Sequence, residues 1–129
     1  MAEAAAVAVV REYWRRMQSN DFAYAAQILS GDFRLEWPQS NERLRGRENF
    51  TRMNSEYPAH GRWEFTVHRI VGDELAAVSD VSITDGVQRA RAITFSSVAG
   101  GLITSQTEFW PEDYPAPQNR RHLVEPIQP

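Results

Sequence analysis

The chain of 129 residues has no cysteine, which excludes disulfide staples, thiolate nucleophiles and thiolate metal sites. It has little continuous apolar sequence. The longest run, Ala4 to Val10, is about seven residues against the ~20 that cross a bilayer, and Glu3 precedes it where an export signal would carry positive charge. Positive charge is not in excess either: a net charge of -3 and a pI near 5.6 give no overall field to attract a phosphate backbone. Glycine-rich phosphate loops, dinucleotide fingerprints and nucleophile elbows are missing, and His60, His68 and His122 lack metal-ligand spacing. The expectations are a cytoplasmic protein with no cofactor, metal, nucleic acid or membrane partner. No repeat period is present.

What is present suits a globule, with 42% hydrophobic and 24% charged residues in a length able to bury a core unaided. Val7, Val10, Tyr13 or Trp14 and Met17 recur at helical spacing and predict a helix over about 3–19. Asn20 and Asp21 can cap a second, short helix with stripe Phe22, Ala25, Ala26 and Leu29, stopped at Gly31. Phe33, Leu35 and Trp37 alternate with Arg34 and Glu36 as a strand ended by Pro38, and a third helix fits 47–57. Turn signals at Gly72-Asp73, Asp85-Gly86 and Gly100-Gly101 then divide four strands, about 62–71, 74–84, 87–99 and 102–110. The class is α+β: an antiparallel meander, the first strand added at an edge, packed on three helices. Five of seven prolines follow the last strand, so 118–129 reads as an extended arm without helix or sheet, beyond a single domain over 1–117.

This order of elements, with DFRLEWPQSNERLRGRENF after the helical pair and EFWPEDYPAP closing the last strand, resembles the nuclear transport factor 2-like superfamily. Within it the chain looks closest to the SnoaL-like polyketide cyclase branch, over about residues 5–117. The resemblance implies a cone-shaped curved sheet on three helices, an open-mouthed pocket and a homodimer through the outer sheet face. Isomerase chemistry on this fold needs a shuttle acid where Trp37 stands and a second acid near Ile93, although Tyr13 matches its tyrosine. Epoxide-hydrolase chemistry needs two acids, which Asp80 and Glu108 resemble, and an arginine where Val78 stands. Cyclase chemistry needs only one carboxylate in an apolar pocket.

The candidate catalytic residues are therefore Asp80, Glu108 and Arg91. Asp80 breaks a strand pattern that disfavours Asp; it either faces the cavity or pairs with an arginine on the outer face. Glu108 shares its alternation with Thr104, Gln106 and Trp110, a polar row suited to a pocket wall, unless Phe109 points inward instead. Arg91 lies on the face of Ile93 and Phe95, where it clamps a ligand or marks the exposed strand start. Tyr13, Trp37, Asn54, Tyr57 and Trp63 are the candidate substrate-binding residues, able to line a pocket for a small hydrophobic organic ligand. The reading is a cofactor-independent cyclase, isomerase or hydrolase; the alternative is a non-catalytic ligand-binding or dimeric scaffold protein of the same fold.

Overall fold

The computed structural model describes residues 3–128; Met1, Ala2 and Pro129, the last residue of the expected arm, lie outside the described residues. Helix α1 (Ala5–Gln18) buries Ala6, Val7, Val10, Tyr13, Trp14 and Met17, while Glu12 pairs with Arg15 and Arg16 on its wet face. The Asp21 side chain accepts the Tyr24 N–H at the start of α2 (Phe22–Ala26), supplying one of the orphan donors of the first turn. Between the two helices Asn20 adopts φ 61°, and its side chain both donates to the Trp63 carbonyl and accepts the Trp63 N–H, each at 2.8 Å. That double clamp fixes where Trp63 enters the sheet.

Six strands form one curved sheet in the order β2-β1-β6-β5-β4-β3: β1 (Leu29–Trp37), β2 (Glu42–Arg45), β3 (Glu64–Gly72), β4 (Ala76–Thr84), β5 (Arg89–Ala99) and β6 (Leu102–Phe109). Strands β3 to β6 are the expected antiparallel meander. Several details differ from expectation. Strand β1 joins β6 in parallel, and the edge beyond it belongs to β2, which pairs Leu44 with Leu35 and buries both. Leu29 is not on the second helix but opens β1 against Ile103, and Gly31 falls inside the strand where its register shifts, not at a helix stop.

Helix α3 (Gly46–Glu56) buries Phe50 against Phe33 edge to face at 5.9 Å and against Tyr13 at 6.1 Å. With α1 and α2 it covers the concave sheet face, so the core lies between helices and sheet. Alternation along β4 and β5 turns Ala77, Ser79, Val81, Ala92, Thr94 and Ser96 inward. The arm is not devoid of helix: Gln118–Leu123 is a 3₁₀ turn that buries nothing.

Candidate active site

Register brings three inward polar residues into one row across the sheet: Ser79 opposite Thr94, and Thr94 opposite Glu108. Ser96 and Gln106 form the next row. Glu108 is only 5% exposed, and among the described residues it has no ion-pair partner. The Trp37 Nε1–H points to Glu108 Oε1 at 3.0 Å, and the Thr94 hydroxyl meets Oε2 at 2.6 Å. Burial pushes the Glu108 carboxyl above its ordinary range, and hydrogen bonds from Thr94, Trp37 and Trp110 only partly oppose it. A carboxyl so placed keeps its proton to a higher pH than a solvated glutamate does.

Tyr13 stands beside it. Burial raises its phenol well above the usual range, the Glu108 charge adds to that, and the Gln106 side chain opposes it. Tyr13 therefore stays a protonated donor at any working pH. Gln106 Nε2 donates to Ser96 Oγ at 3.2 Å, while its Oε1 is buried without a hydrogen-bond partner. An unpaired acceptor in such a place is costly unless a donor completes it. On the far side the Trp14 indole N–H donates to Ser79 Oγ at 3.0 Å.

Glu108, Tyr13 and Trp37 are thus brought together, and Trp110 joins them. Asp80 and Arg91 are not: both sit on the convex face, where the Arg91 Nη2 donates to Asp80 Oδ2 at 2.9 Å and Arg69 lies 3.8 Å away. The reason is the one-residue alternation, which turns Ser79 and Val81 inward and Asp80 out. Arg91 holds the Asp80 carboxyl below its usual range, the reverse of what a proton shuttle needs. Asn54 spends its amide on the Phe50 carbonyl of its own helix at 2.9 Å. Tyr57 and Trp63 meet edge to face at 6.1 Å.

A pocket of about 430 Å³ opens beside this cluster, lined by Trp37, Leu44, Met53, Tyr57 and Pro58 together with the polar Glu42, Arg43, Asn49, Arg52 and Glu56. Trp37 belongs to both: its ring lines the pocket and its N–H touches Glu108. The loop nearby is tied by Asp85, whose buried carboxylate accepts the backbone N–H groups of His60, Val87 and Gln88. Sequence reasoning missed Thr94 and Ser79. Their signal was the small, polar alternation Ala92, Thr94, Ser96, overshadowed by the apolar Ile93 and Phe95 on the other face.

Among the described residues no cluster of acids or histidines could hold a metal, and no helix is long and apolar enough to cross a membrane. No curated protein matches the chain. A solved candidate ketosteroid isomerase from Kribbella flavida is 37% identical, with a TM-score of 0.87, covering 95% of this chain and 90% of that one. An NTF-2 like protein of unknown function from Burkholderia xenovorans is 24% identical, with a TM-score of 0.79 and 95% of each chain covered. An epoxide hydrolase of the LEH-like type from M. tuberculosis is 21% identical, with a TM-score of 0.67 over 83% of each. The SnoaL-like domain model matches residues 10–106, from within α1 to Gln106 in β6 and so stopping short of Glu108, and the chain belongs to the SnoaL-like family of the NTF2-like superfamily.

Proposed function

We propose that the protein is a cofactor-independent enzyme in which Glu108 transfers a proton to or from a small hydrophobic organic molecule, in a cyclisation, isomerisation or hydrolysis. The observation that carries this reading is a buried carboxyl with hydrogen-bond donors and, among the described residues, no cation paired with it. Nature seldom keeps such a group for stability, because an apolar residue of that size would cost less. Glu108 with a raised pKa is a stronger base when ionised, and it keeps a proton available for donation at a higher pH than an ordinary glutamate. Tyr13 supplies a second proton donor for a developing oxyanion. The apolar part of the pocket beside Trp37, with Leu44, Met53 and Tyr57, suits the hydrophobic portion of a guest, and its charged residues suit a polar group.

The relatives named as a candidate ketosteroid isomerase and an epoxide hydrolase suggest enolisable ketones and epoxides as the first compounds to try. Incubation of the protein and of Glu108→Gln with a panel of both, read by product chromatography, tests the reading. Turnover that falls by about 10²- to 10⁴-fold in the variant supports it. Turnover equal in the two proteins removes Glu108 from the chemistry. A second reading, a ligand-binding protein without catalysis, is favoured by one fact: the walls of the 430 Å³ pocket include Trp37 but not Glu108. Saturable ligand binding with no product would favour it.

A further inference from the structure

The pocket and the buried acid are neighbours without a passage between them. The Trp37 ring is one wall of the pocket and its N–H reaches Glu108 Oε1 at 3.0 Å, while Glu108 is 5% exposed and does not line the pocket. A guest lying against Met53 and Tyr57 therefore meets the indole, not the carboxyl. For Glu108 to exchange a proton with that guest, a group now bonded to the carboxyl has to give way.

Thr94 and Trp37, the donors to its two oxygens, differ in their freedom to do so. Thr94 holds Oε2 at 2.6 Å from the middle of β5, is fully buried, and has β4 on one side and β6 on the other. It is fixed by the sheet. Trp37 is the last residue of β1, one position past the rung that pairs Glu36 with Thr107 of β6, and its side chain is only partly buried. Tyr13, Trp14, Phe33 and Phe50 are locked ring against ring, whereas among the described residues the Trp37 indole has no aromatic partner. The turn that follows is anchored, because Gln39 Oε1 accepts the Trp110 N–H at 2.7 Å. The motion left to Trp37 is rotation of the indole about its own side-chain bonds, toward a Met53 that is 38% exposed and can repack.

We propose that Trp37 is the gate between pocket and acid: its bond to Glu108 latches the ligand-free state, and a guest entering the pocket turns the indole aside and takes its place at Oε1. The inference rests on Glu108 as the proton-transfer group and gives the pocket its part as the entrance. Thr94 keeps Oε2 in position throughout. One hydrogen bond to a carboxyl favours closed over open by roughly 10- to 100-fold, so the open form is a minor state of about 1–10%.

The test needs no substrate. In hydrogen exchange followed by NMR, the Trp37 Nε1–H is identified by its loss in Trp37→Phe, and the Trp14 Nε1–H, bonded to Ser79 in the core, is the internal reference. The Trp37 proton should exchange at least about 100-fold faster than that of Trp14, at a rate that dilute urea leaves unchanged, as local opening requires. The chain has no cysteine, so Met53→Cys places a single thiol on the pocket wall. Its thiolate displaces bromide from phenacyl bromide, which leaves an aryl ketone tethered in the pocket by a new S–C bond, and iodoacetamide gives a small control adduct. The tethered ketone should speed Trp37 N–H exchange at least about tenfold over the control and leave Trp14 unchanged. Trp37 exchange that matches Trp14 with the same urea dependence, or that is equal in the two adducts, overturns the gate. Neither readout uses turnover, so the gate fails separately from the Glu108→Gln comparison that tests the function.

Discussion

The Trp37 indole donates to the Glu108 carboxyl across 3.0 Å, although the two residues are 71 positions apart in sequence. The same ring walls the outer pocket, so one side chain both restrains the acid and separates it from solvent. Replacing it with Phe keeps the wall and removes the donor. Because that donor favours the ionised form, the Glu108 pKa in Trp37→Phe rises further, which carboxyl-labelled NMR titration measures.

Stability should depend on pH through Glu108 in a definite direction. Its folded-state pKa lies above the ordinary value, so the folded chain binds the proton more tightly than the unfolded chain. The contribution is fully present below the unfolded pKa and is lost as pH rises through the folded one. Glu108→Gln, which cannot ionise, removes this alkaline-side loss. Thermal melts across pH test it: the variant should gain on the wild type as pH rises, and parallel curves would refute the assignment.

Asp80→Asn should leave turnover within about twofold, because the carboxylate faces away from the polar row. Its pairing with Arg91 is partly exposed, so the stability loss is about 1 kcal/mol or less. Its lowered pKa makes that loss appear above the unfolded pKa and vanish as pH falls. Chemical denaturation at neutral and acid pH, alongside the turnover assay, checks both parts.

Asp85→Ala should loosen the approach to the pocket more than it disturbs the core. The carboxylate, held far below its usual range first by the His60 N–H and then by Gln88 and Val87, ties the loop after α3 to the β4–β5 turn. Without it three backbone donors lose their acceptor. Hydrogen exchange at residues 58–62 and 86–88 should accelerate while β6 amides stay protected.

Much of the fold is legible in residue order because three-to-four spacing and alternation report which side faces the core. The four meander strands and α1 follow directly from them. Strand β2 escapes because ERLR offers one apolar residue, and only its pairing with Leu35 reveals Leu44 as core. Leu29 misleads because an apolar residue after Ala25 and Ala26 fits a helix stripe as well as a strand start. For the site, Glu108 is identifiable from its polar row, whereas Asp80 is not. Facing direction flips with a single residue, and the register that decides it is a property of neighbouring strands.

The parallel seam between β1 and β6 has a consequence for how the chain matures. It zips together segments some seventy residues apart, so the loop it closes spans most of the polypeptide. Trp37 and Glu108 lie on opposite sides of that seam and meet only once the final strand is seated. A nascent or truncated chain can possess every helix and most of the meander and still lack this buried pair.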